Sequence, residues 1–293
     1  MTAPLLLLAL LSLARALTVV PASDPRVRWV GRTNASARDG SVAFDYEGVS
    51  ATITITSPWT FLSVTISDQC AGSASLGGGS RWLVTATPAD ARALTPGRRV
   101  STFWSGPRVS EYYLYANAGG GCDPSCSFNG ATAVTLTRLT ESRISLCGPG
   151  AGLSVASFAT DGGVVATAAP SPARRLEFIG DSISAGDLND GQGATTCSNS
   201  AGNDDITLSS GGRLCLPTAA GGLGAECMYS AWGGITLGAR GWGMRDLYPF
   251  TFSAGGRNAY EPWTFGAFSA DAVVINLGTV RNSCLRGART LCS

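Results

Sequence analysis

The sequence predicts an α+β protein of two domains, in which an all-β sandwich or jelly roll at residues 25–166 precedes a parallel α/β sheet that begins at residue 175. Two observations support this division. The first half holds short runs in which apolar and polar residues alternate, as in half-buried antiparallel strands. The second half holds near-continuous apolar runs, which are typical of strands buried on both faces of a parallel sheet. The Pro- and Ala-rich residues 167–174 between them predict a linker.

The strands of the first half are predicted from composition as well as from period. Each run is short, rich in β-branched or aromatic residues, and bounded by Gly, Pro, Asp or Ser. Little of the sequence between them looks helical. The predicted strands are residues 42–46, 49–55, 61–66, 82–86, 111–116 and 133–139.

The second half predicts the beginning of a β–α–β layer. Residues 175–179 (Arg-Leu-Glu-Phe-Ile) form a short apolar strand that runs into Gly180, Asp181 and Ser182. Residues 271–277 (Asp-Ala-Val-Val-Ile-Asn-Leu) form a second strand. Between them, residues 186–202 are predicted to be a loop and residues 204–224 to carry a helix.

The N-terminus predicts export from the cell. Residues 5–13 are Leu-rich and end at Ala14-Arg15-Ala16, a small-x-small cleavage pattern, so residues 1–16 are interpreted as a signal peptide. The alternatives are a buried N-terminal helix or a membrane anchor, although the apolar run is too short to span a bilayer. No later segment is long and apolar enough to form a stable membrane span.

Two further features agree with a secreted protein. Nine cysteines predict disulfide bonds, whose pairing the sequence leaves open. Cys122 and Cys126 have metal-ligand spacing, but no second pair and no His follow. Asn34-Ala35-Ser36 is an N-glycosylation triplet, so a glycan is expected at Asn34.

Charge and composition exclude several classes of function. The net charge is +1 with scattered basic residues, unlike the basic patch of a nucleic-acid binder. The chain has no histidine, and all 21 of its basic residues are arginine. These absences remove the usual general base, the commonest zinc ligand and lysine chemistry. We therefore expect no metal and no cofactor, and the sequence does not indicate an oligomeric state.

Ser182 is the residue with the strongest chemical context. It follows a buried strand and a glycine turn, and ligands of open α/β sheets bind at that end of the strands. A serine that begins a helix there has backbone N–H groups beside its hydroxyl, which suits a nucleophile that must stabilise an oxyanion. The alternative is that Ser182 is a simple helix N-cap.

These residues carry a family resemblance. Residues 178–186 (Phe-Ile-Gly-Asp-Ser-Ile-Ser-Ala-Gly) resemble the first sequence block of the SGNH/GDSL hydrolases. The layout is similar to carbohydrate esterase family 2, which joins an N-terminal β-sandwich to an SGNH domain. Residues 28–32 resemble the opening of the family's sandwich, and residues 230–234 resemble the block that supplies the oxyanion-hole glycine. Residues 242–249 resemble the stretch after that block, and residues 274–279 resemble the start of the third block.

The resemblance implies a flavodoxin-like SGNH domain, here partial, at residues 175–279 and deacetylation of carbohydrate esters such as acetylated xylan. Ser182 would be the nucleophile, its N–H and that of Gly234 would hold the oxyanion, and Gly180 and Asp181 would shape the turn. Four aromatic residues would offer faces to a sugar ring, with ordinary core packing as the alternative for each: Trp232, Trp242, Tyr248 and Trp263.

The sequence departs from the family after residue 279. Where the family continues with Asn-Asp, this chain has Val280 and Arg281, and no Asp-x-x-His follows. Losing an oxyanion donor costs roughly 10²–10³ in turnover, and losing a triad member leaves about 10³–10⁴ over water. We therefore expect very weak or no activity, and we hypothesise that residues 280–293 are an atypical tail rather than the native continuation. The alternative function is a secreted glycan-binding protein without catalysis.

Overall fold

The computed structural model describes residues 17–36, 38–56, 59–69, 79–88, 100–106, 108–116, 131–140, 152–167, 174–185, 225–238, 243–251 and 261–278. Several predictions lie outside these residues: the signal peptide, the loop and helix at 186–224, Trp242, the tail at 280–293 and every cysteine except Cys227. In the described part the chain is mostly β-strand with few and short helices.

The first half forms two antiparallel sheets of six strands each. The first sheet has the order β3 (Asn34–Ala35), β4 (Val42–Phe44), β11 (Leu153–Thr160), β6 (Phe61–Asp68) and β9 (Arg108–Ala116), with β1 (Thr18–Pro21) also on β11. The second has the order β12 (Gly163–Val165), β5 (Ser50–Thr56), β10 (Thr132–Arg138), β7 (Arg81–Pro88) and β8 (Val100–Trp104), with β2 (Arg28–Val30) on β5.

One apolar core joins the two sheets, which together are called the sandwich below. In β5 the buried residues Ala51, Ile53 and Ile55 alternate with half-buried Ser and Thr. They share a core with Val64 of β6 and Phe158 of β11, on the other sheet. The period of two therefore places one face of each sheet inward, as the sequence predicts.

All six strands predicted in the first half are confirmed, each within a few residues of its observed bounds. The sequence reasoning missed β1, β2, β3, β8, β11 and β12. Most of these are short, and in β11 (Leu-Ser-Val-Ala-Ser-Phe-Ala-Thr) small residues and a register shift between Val155 and Ser157 hide the alternation.

The second half forms a parallel sheet of three described strands in the order β14 (Glu226–Ala231), β13 (Arg175–Gly180) and β15 (Ala272–Asn276). The parallel pairing of residues 175–180 with 272–276 confirms the two predicted strands, whereas β14 was missed. Two four-residue helices follow strands of this sheet, α1 (Ser182–Ala185) and α2 (Met244–Leu247), and a short 3-10 helix covers Phe265–Ala267.

Strand β15 is exposed, unlike the parallel strands buried on both faces of which its apolar run is typical. Val273, Val274 and Ile275 are 50%, 43% and 65% exposed. Among the described strands β15 pairs only with β13, so it lies at an edge of the described sheet. Apolar composition predicted the strand correctly, but burial depends on what packs against it. No helix in the described part of the chain is long and apolar enough to cross a bilayer.

Arg32, which follows β2, joins the sandwich to the second half. It is fully buried, and its Nη1 donates to the carbonyl oxygens of Tyr248 and Phe250, the latter at 2.7 Å. Its Nη2 lies 3.4 Å from Glu177 Oε1, which also accepts the Tyr248 hydroxyl at 3.0 Å. Four rings lie 4.5–5.9 Å from its Cζ and complete what is called the Arg32 cage: Tyr46, Tyr248, Trp263 and Phe265.

Candidate functional site at the carboxyl edge of the parallel sheet

Ser182 lies where the central strand of the parallel sheet ends. β13 ends at Gly180, and α1 begins at Ser182 two residues later. The Ser182 side chain is half-buried, whereas Asp181 before it is fully buried and Ile183 after it is 61% exposed. The structure therefore places Ser182 at the carboxyl edge of the described sheet, half-buried rather than fully within the core.

Gly180 makes the turn into α1 sterically possible. A Cβ at this position would lie 2.0 Å from Ser184 Oγ and 2.8 Å from the carbonyl oxygen of Asn276. The helix and β15 thus approach the backbone more closely than any side chain at 180 would allow. Gly180 thus lies in the turn between β13 and α1, at a position too close to its neighbours for a side chain.

Asp181 is occupied in holding the same turn. Its N–H donates to the carbonyl oxygen of Asn276 at 3.2 Å, and its own carbonyl accepts the Ala185 N–H at 3.0 Å. Its Oδ1 accepts the Ile183 N–H at 3.2 Å. The carboxylate therefore satisfies a backbone donor at the start of α1, as a helix N-cap does.

Gly234 follows the neighbouring strand at the same edge. The register places Ala231, the last residue of β14, opposite Gly180. The Trp232 N–H donates to the Gly180 carbonyl at 3.2 Å, which fixes the segment after β14 to the end of β13. Gly234 is exposed, has φ of +78°, and has no heavy atom within 4 Å of where a Cβ would lie. Parallel topology thus brings Ser182 and Gly234 to one edge of the sheet.

The described members of the predicted aromatic set pack in two different apolar clusters. Trp232 and Tyr248 are half-buried and pack against the apolar cluster of Ile179, Ile235, Met244 and Leu247. Burial, with a further contribution from the Glu177 carboxylate, raises the pKa of Tyr248 to about 12, so the phenol stays a hydrogen-bond donor. Trp263 is half-buried and packs with Val30, Met228 and Phe268.

The sequence reasoning missed Arg32 and Glu177, which join the sandwich to the central strand of the parallel sheet. Glu177 lies on β13, three residues before Gly180, and is 6% exposed. A charged residue within an otherwise apolar strand was the available signal, because buried carboxylates need a partner. Its partner is 145 residues away in the chain, and no local pattern points to it.

Within the described residues, no group of three His, Cys, Asp or Glu side chains lies close enough to hold a metal ion. Cys227 on β14 is disulfide-bonded.

Comparison with known proteins gives matches in structure but not in sequence. No family model matches the chain, and no curated protein matches it. A family 2 carbohydrate esterase from Cellvibrio japonicus superposes with a TM-score of 0.65 at 18% identity, covering 90% of this chain and 68% of that one. An acetyl xylan esterase from Butyrivibrio proteoclasticus has a TM-score of 0.64 at 20% identity, covering 90% and 64%.

A family 2 carbohydrate esterase from Clostridium thermocellum, solved in complex with cellohexaose, has a TM-score of 0.58 at 24% identity, covering 87% of this chain and 66% of that one. The chain thus spans about two thirds of the length of these three structures. Agreement over nearly all of this chain, across both the antiparallel and the parallel sheets, shows that it has the fold of the SGNH-type family 2 carbohydrate esterases.

Proposed function

We propose that this chain is a carbohydrate-esterase-type protein that takes acetylated carbohydrate, such as acetylated xylan, at the edge formed by Ser182 and Gly234. The observation that carries the proposal is the half-buried Ser182 at the carboxyl end of the central parallel strand, with Gly234 after the adjacent strand. The shared fold supports it, because structures with this fold include an acetyl xylan esterase and an esterase bound to cellohexaose.

The proposal includes a domain layout. Residues 25–166 form the sandwich domain together with β1 (Thr18–Pro21), which the expected boundary left out and which pairs with β11. Residues 167–174 form the linker, and residues 175–279 form part of a flavodoxin-like SGNH domain. The three described parallel strands and the chain connection from β13 into α1 support the last assignment. The Arg32 cage holds the sandwich domain against the strand that leads to Ser182.

The reaction at this edge is transfer of an acetyl group to Ser182. The Ser182 Oγ attacks the carbonyl carbon and loses its proton to water, and the carbonyl oxygen becomes an oxyanion. The N–H groups of Ser182 and Gly234 stabilise that oxyanion. The C–O bond then breaks, the sugar hydroxyl leaves with a proton from water, and water later hydrolyses the acetyl-serine.

Proton transfer is the slow part of this scheme. The 293 residues contain no histidine, so a Ser–His pair is absent from this chain. The Asp181 carboxylate already accepts the Ile183 N–H, and an ordinary carboxylate is a poor base for a serine hydroxyl. Turnover is therefore expected to be lower than that of a complete triad by about 10³-fold or more.

The second candidate function is glycan binding without hydrolysis. The absence of histidine favours it, and the half-buried Trp232, whose N–H bonds the end of β13, is an aromatic residue whose contact with a sugar would need no proton transfer. Such a protein would bind deacetylated and acetylated xylan with similar affinity, because no contact would depend on the acetyl carbonyl.

Release of acetate from acetylated xylo-oligosaccharides tests the first function. We expect slow release that Ser182→Ala abolishes. Ser184→Ala is the matched control, since Ser184 lies in the same helix with its Oγ packed toward Gly180. Equal release by wild type and Ser182→Ala would refute the esterase site, and equal binding of acetylated and deacetylated xylan would then favour glycan binding.

The proposed compartment is extracellular. The Leu-rich residues 5–13, the triplet that begins at Asn34 and the disulfide-bonded Cys227 support it, since disulfides persist in oxidising compartments. Mass spectrometry of protein from the culture medium of a eukaryotic host tests cleavage after Ala16 and a glycan on Asn34.

A further inference from the structure

A cleft of about 530 Å³ lies at the opposite end of the parallel strands from Ser182. Arg28 and Trp29 of β2, the first residues of β13 and β14, and two short segments at 261–264 and 267–268 are among the residues that line it. Arg175 and Glu226 face each other in register at the start of those two strands. At about 3.3 Å per residue, β13 separates this cleft from Ser182 by roughly 20 Å. It is therefore a site of its own.

The charges in the cleft cancel. Glu226, whose side chain is 7% exposed, pairs with Arg28 and lies 3.3 Å from Arg175 Nη2. The second carboxylate of the lining, Glu261, is exposed at the rim. The lining thus holds two guanidinium groups and two carboxylates, whose formal charges sum to zero, so net charge favours neither a phosphate nor an ammonium ion. A guanidinium has five N–H donors and a carboxylate has several acceptor sites, so these ion pairs leave hydrogen-bonding capacity for a neutral polar ligand.

Three aromatic residues are also part of the lining. Trp29 and Trp263 are half-buried, and Phe268 is 7% exposed. The Arg175 guanidinium lies 4.4 Å from the Phe268 ring centroid, which fixes its plane. A mostly polar lining that includes two half-buried indole rings matches a sugar ring, which presents hydroxyls at its edge and C–H groups on one face. We propose that this cleft binds a neutral saccharide.

The saccharide has two possible sources. Asn34, which begins the N-glycosylation triplet, lies on the edge strand β3 and lines the same cleft. A glycan attached to Asn34 would start at the cleft wall, so its first sugars could occupy the site. Without that glycan the cleft is open to a free oligosaccharide. Both sources supply the same neutral sugar chemistry.

The test compares wild-type protein from a glycosylating eukaryotic host with Asn34→Gln from the same host. Each is titrated with xylohexaose and cellohexaose by calorimetry, and hydrogen exchange maps the protected peptides. Ala267→Trp, combined with Asn34→Gln, fills the cleft from an exposed lining position, and Ser269→Trp is the matched control on an exposed residue nearby. We expect Ala267→Trp to weaken binding about 10-fold or more and Ser269→Trp to leave it unchanged.

The outcomes tell a free oligosaccharide from the protein's own glycan, and they also show whether the cleft binds a saccharide at all. Binding by both the wild type and Asn34→Gln, with protection of residues 261–268, assigns the cleft to free oligosaccharide. Binding by Asn34→Gln but not by the glycosylated wild type assigns it to the protein's own glycan. If neither oligosaccharide protects residues 261–268 in Asn34→Gln, or if Ala267→Trp binds like Ser269→Trp, the cleft is not a saccharide site. Because the hydrogen-exchange arm needs no cleft variant, misfolding of Ala267→Trp would not leave the proposal untested.

Discussion

The sandwich and the parallel sheet bury their apolar strands to different extents. In β5 of the sandwich, Ile53 and Ile55 are fully buried, whereas Val274 and Ile275 of β15 are 43% and 65% exposed. Apolar stabilisation is proportional to the area removed from water. The sandwich is therefore held by its apolar core, and the described part of the parallel sheet depends more on the Arg32 cage, which anchors β13. The comparison shows that an apolar strand stabilises the fold only to the extent that its side chains are buried, as they are in β5 and not in β15.

The largest expected effect comes from removing the anchor. Arg32→Ala would leave Glu177 and two carbonyl groups buried without their cation, at a cost of about 3–5 kcal/mol. Urea unfolding measures it. Arg245→Ala is the control, because that side chain is 70% exposed and its pair with Asp246 contributes little. A loss below about 1 kcal/mol for Arg32→Ala would mean that the cage does not hold the two regions together.

A matched pair of substitutions tests the difference in burial itself. Ile53→Ala in β5 should cost about 2–5 kcal/mol, because it removes a fully buried side chain from the core. Ile275→Ala in β15 should cost less than about 0.5 kcal/mol, because that side chain is already mostly in water. Chemical denaturation of both variants measures the contrast. Equal losses would show that β15 is covered in solution and that the two regions do not differ as described.

A smaller effect on stability is expected from the Asp161 carboxylate, which lies in the sandwich directly after β11. Asp161, after β11, accepts the N–H and hydroxyl of Thr60 at 2.7 and 2.6 Å and the Phe61 N–H at 3.1 Å. Burial works to raise the pKa of Asp161, but these hydrogen bonds outweigh it and hold the pKa below 3.8. The unfolded carboxylate therefore protonates first as pH falls. The stabilisation is present above pH 3.8 and is lost as pH falls through the lower, folded value.

Asp161→Asn should cost about 1 kcal/mol at neutral pH and less below the folded pKa. Urea unfolding at neutral and at acid pH measures the difference, with Glu261→Gln as the control on an exposed carboxylate outside the sandwich. A cost that stays the same at both pH values would contradict the role given to the ionised Asp161.

The sequence predicted the parts of the fold that depend on local pattern. The alternation in residues 49–55 and the apolar residues 175–179 before Gly180 each specify a strand without reference to the rest of the chain. The position of Ser182 followed from that strand and the glycine turn. Strand β14 was missed because Glu-Cys-Met-Tyr-Ser-Ala has neither an alternating nor a continuous apolar pattern.

The long-range features were not predictable in this way. Arg32 meets Tyr248 across 216 residues, and nothing around either residue indicates the other. Trp29 and Trp263 line one cleft only because the sandwich packs against the starts of β13 and β14. The exposure of β15 likewise depends on its neighbours in space, which composition does not specify.

The central claim is that Ser182 is an accessible nucleophile with oxyanion donors beside it. Peptide mass spectrometry after incubation with p-nitrophenyl acetate tests it directly, and the absence of lysine from the chain removes the commonest competing acceptor. The account predicts acetyl-Ser182 that persists, because no histidine assists its hydrolysis, with Ser184 in the same helix unmodified. Acetylation of Ser184 to the same extent, or an unmodified Ser182 in folded protein, would contradict the assignment.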